Sequence, residues 1–180
     1  PFGNFSSITT ISSNPDWVYL ITFSKPDKTI KKDTPKSALY LSKDAGLTWE
    51  TIQNMDQGIG FESSVYGPGF VGSWLHCFAV NPSNPDEMIT AHNVMAETND
   101  GGKTWKSIPW NLRVQARMDD GSLHLNKYGK HIADNHVIKF HPKHKSRAYK
   151  ACDSGLYMRD PDIGFDQWVE ITGDMLAMLF

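Results

Sequence analysis

The feature that most restricts how this chain folds is a motif that occurs twice. Ser42-Lys43-Asp44-Ala45-Gly46-Leu47-Thr48-Trp49 and Thr98-Asn99-Asp100-Gly101-Gly102-Lys103-Thr104-Trp105 agree in hydroxyl, Asp, Gly, Thr and Trp at an offset of 56 residues. A fixed period means that one supersecondary unit is being stacked, because a single such unit cannot bury its apolar face alone. A third, eroded copy runs from Met158 to Trp168, where Asp160, Gly164 and Trp168 keep their order with three extra residues and no leading hydroxyl. Each copy follows an Asn-Pro or His-Pro turn (Asn14-Pro15, Asn81-Pro82, His141-Pro142). Each ends in a strand-like run after its Trp: Trp49 to Ile52, Trp105 to Ile108 and Trp168 to Ile171.

Short apolar and β-branched runs bounded by turn residues fill this frame with four strands per repeat. The predicted strands are 5–11, 17–23, 37–42 and 48–52 in the first repeat, with a long Lys- and Pro-rich hairpin, Ser24 to Lys36, in its middle. They are 74–80, 87–92, 94–98 and 104–108 in the second, and 136–140, 147–152, 155–159 and 167–171 in the third. Four short strands per repeat of ~40 to 50 residues predict an all-β chain of three antiparallel β-propeller blades, part of a larger propeller. The expected blades are 5–53, 73–109 and 135–172, and the apolar run 175–180 reads as the opening strand of another. Pro1 and the apolar end at Phe180 read as trimmed boundaries.

Composition narrows the partners. Lys and Arg number 18 against 20 Asp and Glu, a net charge of −2 that provides no broad field for nucleic acid. The densest basic run, Lys139 to Lys150, surrounds the turn after Pro142 and reads as a solvated turn. No apolar stretch approaches the ~18 to 20 residues of a membrane span. Two cysteines, Cys77 and Cys152, leave one bridge or two free thiols open.

The motif Ser/Thr-x-Asp-x-Gly-x-Thr-Trp resembles the Asp-box, or bacterial neuraminidase repeat. Similar repeats occur in sialidases, xyloglucan-specific endoglucanases, sortilin-like receptors and other secreted proteins. The third repeat is most similar to the last group through His131-Ile132-Ala133-Asp134-Asn135-His136, His141-Pro142 and Cys152-Asp153-Ser154-Gly155-Leu156-Tyr157. The resemblance implies a secreted protein, extracellular or periplasmic, with the boxes at the periphery and away from ligand. Their residues have a structural explanation in any case. Asp44 and Asp100 can accept hydrogen bonds from turn amides, Gly46 and Gly102 supply positive φ, and Trp49, Trp105 and Trp168 can bury large areas between blades.

Ligands of propellers usually meet loops that join the last strand of one blade to the innermost strand of the next. Here those segments are Gln53 to Ser73, with Phe61 and Tyr66, and Pro109 to Asn135, with Trp110, Arg113, Arg117, Asp119, His124, His131 and Asp134. Aromatic rings beside Asp, Arg and His suit carbohydrate, while the plain alternative has the rings covering blade interfaces and the charges facing water. His131, Asp134 and His136 have metal-ligand chemistry, but on a strand only Asp134 and His136 share a face, so a hydrogen-bonded structural role is expected and no metal or other cofactor. Glycoside hydrolysis needs two carboxyls across the scissile bond. Asp56, Glu62, Asp119, Asp120 and Asp134 are eligible, but no pair can be chosen. The arginine cluster, Tyr and acid of sialidases have no residue-by-residue match. Two functions therefore stand at this point: a non-catalytic module that binds glycan or protein, completed by blades of the same or identical chains, and a fragment of a glycoside hydrolase.

Overall fold

The computed structural model describes residues 5–23, 38–54, 77–91, 95–108, 115–117, 123–125, 135–153, 155–163 and 165–171. These are all-β apart from one 3-10 turn at Pro161–Ile163. The first sheet is a meander of β1 (Phe5–Ile11), β2 (Asn14–Phe23), β3 (Ala38–Ser42) and β4 (Glu50–Asn54). The second repeats it with β5 (Cys77–Asn81), β6 (Asn84–Ala91), β7 (Met95–Thr98) and β8 (Lys106–Ile108).

The third sheet departs from the expected four strands. Two short strands, β9 (Gln115–Arg117) and β10 (Leu123–Leu125), precede its meander of β11 (Asn135–Phe140), β12 (Ala148–Cys152), β13 (Gly155–Asp160) and β14 (Phe165–Glu170). The sheet order is β10-β9-β14-β13-β12-β11, with β9 parallel to β14. A segment read from the sequence as a connecting loop thus forms a hairpin on the outer edge of the blade. Its cause is the row of backbone donors and acceptors that an outermost strand leaves unpaired. The sequence between β9 and β10 also contains Asp120-Gly121, a pair that favours tight hairpins.

The first strand of every four-stranded meander is innermost, since β1 packs on β5 and β5 on β11. The three sheets are therefore propeller blades, and strand alternation divides their residues between two seams. Phe78, Val80, Met88 and Ala96 turn toward Ile11, Tyr19, Ile21, Leu39 and Leu41 of the first blade, with Trp105, Trp17 and Ile52 partly buried at the edge. Cys77, Ala79, Ile89, Ala91 and Met95 turn the other way, onto Ile138, Phe140, Ala148, Cys152, Tyr157 and Trp168 of the third. Cys77 and Cys152 are both buried in this second seam and are not joined by a disulfide.

Register corrects one equivalence in the sequence frame. Ile11 pairs with Asn14 as Asn81 pairs with Asn84. The counterpart of Asn14-Pro15-Asp16 is therefore Asn84-Pro85-Asp86, not Asn81-Pro82. Two Asn-Pro pairs stand three residues apart at either side of the same tight turn, and the sequence alone does not say which is the match.

Candidate functional site

Both motifs form the same hydrogen-bonded turn between the third and fourth strands of their blades. Ser42 Oγ donates to Asp44 Oδ1 at 2.7 Å and accepts from the Gly46 amide at 2.8 Å. The Asp44 carboxylate takes the Thr48 amide at 2.8 Å and the Thr48 hydroxyl at 2.5 Å, and Trp49 Nε1 donates to Gly46 O at 3.0 Å. Thr98, Asp100, Gly102, Thr104 and Trp105 reproduce the set, with Thr98 Oγ1 2.7 Å from Asp100 Oδ1 and Trp105 Nε1 3.0 Å from Gly102 O. The Thr48 hydroxyl and amide, then Ser42, hold the Asp44 carboxyl down at about 2, and Thr104 and Thr98 do the same for Asp100. Both carboxylates are spent on the turn. Each turn also fastens the second strand of its blade, because Ala45 N donates to Asp16 O at 2.9 Å and Gly101 N to Asp86 O at 3.0 Å.

The third copy is built differently. Asp160 accepts the Asp162 amide at 3.2 Å and is bonded by Arg147 Nε. Trp168 Nε1 is buried and finds no acceptor among the described residues. Arg159 crosses the seam instead. Its Nη2 lies 2.7 Å from Glu87 Oε1 and its Nη1 2.7 Å from Glu97 Oε2, both on the second blade. Glu87 Oε2 also accepts from Asn81 Nδ2 at 2.5 Å and from Ser146 Oγ at 3.0 Å.

The turns that end the innermost strands surround an axial cleft of about 430 Å³. Buried Ile11, Ala79, Val80 and Phe140 form its apolar floor, while Thr9, Thr10, Ser12, Pro15, Pro82, Lys139 and Pro142 form the walls and rim. All three blades contribute. The turns are rigid for local reasons: Asn81 Oδ1 accepts the Ser83 amide at 2.9 Å, and His141 Nδ1 accepts the Lys143 and His144 amides at 3.0 and 3.1 Å. Desolvation, then the positive charges of His144, Arg147 and Lys143, push His141 below its usual value, which keeps that acceptor nitrogen unprotonated. Among the described residues Lys139 is the cleft's cation, and none of the described Asp or Glu residues lines it. Three hydroxyls, one ammonium and an apolar floor can orient and hold a ligand.

Of the candidate ligand-binding residues singled out from the sequence, the three that the structure describes are not at this cleft. Arg117 lies on β9 and His124 on β10, at the outer edge of the third sheet and not beside the axis, for the edge-pairing reason given above. His136 is the second residue of β11, is exposed, and bonds Asp153 Oδ1 through Nε2 at 2.5 Å. Phe61, Tyr66, Trp110, Arg113, Asp119, His131 and Asp134 lie outside the described residues, as does Gly164. Among the described residues no group of three His, Cys, Asp or Glu could hold a metal ion. Sequence reasoning missed Thr10, Ser12, Lys139 and Pro142. The signal was available, since each lies within a few residues of a proline turn at the end of an innermost strand.

No protein-family model and no curated protein matches the sequence. Solved structures share the fold. The GH74 xyloglucanase from Xanthomonas campestris superposes with a TM-score of 0.50 at 15% identity, over 93% of this chain and 23% of that one. A GH74 enzyme from Niastella koreensis gives 0.47 at 17%, covering 89% and 22%. YCF48 from Cyanidioschyzon merolae gives 0.45 at 16%, covering 89% and 34%. The chain thus spans about a third or less of the length of each. What the Xanthomonas campestris structure shares with it is the β-propeller architecture.

Proposed function

We propose that this chain is three blades of a secreted, Asp-box-type propeller that binds a protein segment without cleaving it. One observation carries the choice of binding over hydrolysis: the cleft lies where the three blades meet, and no described carboxylate lines it. A glycosidase needs two, and Glu87 and Glu97 are paired with Arg159 and Asp160 with Arg147. Protein is favoured over glycan because sugar rings stack on exposed aromatic faces, and Phe140, the one aromatic among the described lining residues, is buried in the floor. Lys139 on the rim and exposed Lys143, His144 and Lys145 in the following turn favour a segment rich in Asp and Glu.

Two measurements separate the alternatives. Fluorescence anisotropy with a labelled glutamate-rich peptide should show saturable binding that weakens about tenfold, ~1.4 kcal/mol, in Lys139→Glu and weakens with added salt. Release of reducing ends from xyloglucan or another glycan would establish the glycoside hydrolase alternative. Peptide binding unchanged by Lys139→Glu would remove the cleft as the site.

A further inference from the structure

The two cysteines of the chain stand on different blades and meet in one internal seam. Cys77 opens β5, and its Sγ lies 3.4 Å from the carbonyl of Asn135, the residue that opens β11 in the neighbouring blade. Asn135 is in turn the register partner of Cys152, the last residue of β12. The Cys77 thiol therefore reaches the strand pair that carries the other thiol. Both side chains belong to the same buried cluster, at 6% and 7% exposure. Lys150, two residues before Cys152 and so on the same face of β12, is acted on electrostatically by both sulfurs, and Cys152 acts on Cys77 directly.

Cys77 Sγ faces the Ala91 and Asn135 carbonyls at 3.4 Å each, and Cys152 Sγ faces the Gly155 carbonyl at 3.7 Å. A thiol is a weak donor, so turning either sulfur away from these carbonyls gives up little. The seam is fastened differently at its two ends. Where β5 and β11 end, beside the cleft, Arg159 binds Glu87 and Ser146 joins it. Where β5 and β11 begin, the two thiols lie on either side.

We propose that Cys77 and Cys152 are a redox pair that closes into a disulfide across the seam between the second and third blades. The oxidant is a small-molecule disulfide of the glutathione class. One protein thiolate attacks it, forms a mixed disulfide and releases one small thiolate; the other protein thiolate then attacks the protein sulfur of that mixed disulfide and releases the second. Two protein thiols lose two protons and two electrons, and the small disulfide becomes two thiols. Burial sets the rate, because it pushes Cys77 up to about 12 and only a thiolate attacks. Exchange therefore waits for the seam to open and is faster in dilute urea. The bridge, once made, pins the far end of a seam whose near end borders the cleft.

Treatment of the full chain with excess oxidised glutathione, followed by denaturation, alkylation and mass analysis, tests the pair. The expected product is a monomer two hydrogens lighter, with no alkylated cysteine and no retained glutathione, that yields a linked peptide pair containing Cys77 and Cys152. Dithiothreitol should restore two alkylated cysteines. The melt of the bridged chain should rise by about 5 to 15 °C, a rise absent from Cys77→Ser and from Cys152→Ser. Two thiols still alkylated, or two glutathiones retained, after exhaustive exchange in urea just below unfolding would overturn the proposal. So would a bridge that forms only in the unfolded chain, or one that leaves the melt unraised.

Discussion

Arg159 holds in the third blade the register position that Thr98 holds in the second: Arg159 pairs with Ala148 where Thr98 pairs with Met88. The small hydroxyl that closes a turn within its own blade is replaced by a long cation that binds Glu87 and Glu97 of the neighbouring blade. A turn-forming role has been exchanged for a seam-forming one. Replacing Arg159 with Met should cost about 3 to 5 kcal/mol in urea unfolding, because two acids are left without their partner in a buried seam. Adding Glu87→Gln and Glu97→Gln to Arg159→Met should recover part of that loss. A triple variant no more stable than Arg159→Met would show that the acids are not what makes the single change costly.

The paired turns predict a pH signature. Asp44 and Asp100 are held at about 2, below the ordinary ~3.9 of an Asp in an unfolded chain. A carboxyl depressed in the fold contributes stability that is present above the unfolded value and is lost as pH falls through the folded one. Melting temperature should therefore fall between about pH 5 and 2, and less steeply in the Asp44→Asn, Asp100→Asn double variant. Parallel curves for wild type and double variant would show that these carboxylates do not govern acid unfolding.

Glycine changes at the two turns should differ in size. Gly46 and Gly102 have φ near 92° and 90°, so an alanine is strained at either. At Gly102 the new methyl also meets Leu39 across the seam, whereas at Gly46 it meets only Trp49 at 3.8 Å. Gly102→Ala should cost about 1 to 3 kcal/mol more than Gly46→Ala, as overpacking does. Ala45, at φ 57° where the second turn has Gly101, gives the opposite sign: Ala45→Gly should raise stability by about 1 kcal/mol. Chemical denaturation of the three variants in parallel checks the order.

Lys150 is buried in the seam between the second and third blades, its Nζ 3.0 Å from Asn135 Oδ1 and 4.9 Å from the Tyr157 ring centre. Burial brings it down to about 8. A lysine lowered in the fold penalises folding while it must be charged, and the penalty fades as pH rises from about 8 toward the unfolded ~10.4. Cys77, pushed up to about 12 by burial, acts in the opposite direction at alkaline pH and is common to both chains in a comparison. Wild type should therefore gain stability relative to Lys150→Met between pH 7 and 10. A difference that does not change with pH would place the charge of Lys150 in better solvation than its burial indicates.

The blades were legible in the sequence because their determinants are local. Two octapeptides with hydroxyl, Asp, Gly and Trp in fixed places specify a turn, and the period between them specifies stacking, so each meander strand lies within a few residues of its predicted span. The hairpin of β9 and β10 was not legible, because only the unpaired edge of β14, far along the chain, makes those short segments strands. Arg159 was hidden by an assumption of decay: three extra residues made the third copy look like a weakened box, when its side chain serves a neighbour. The cleft was missed for a geometric reason. Thr10, Ser12 and Lys139 are unremarkable alone and converge only when three strand ends are brought to one axis.

The parallel pairing of β9 with β14 has a consequence for how the third blade is assembled during synthesis. Its outermost segment emerges from the ribosome before its innermost strand, and the edge it joins is the last of the blade to be made. The hairpin must therefore wait, with the β9 edge that will meet β14 unpaired, until the chain between has folded back and returned, which adds a long loop closure to the completion of that blade. The first two blades can be finished in the order in which they are translated. The third behaves like a clasp whose catch is delivered first and whose hook arrives last.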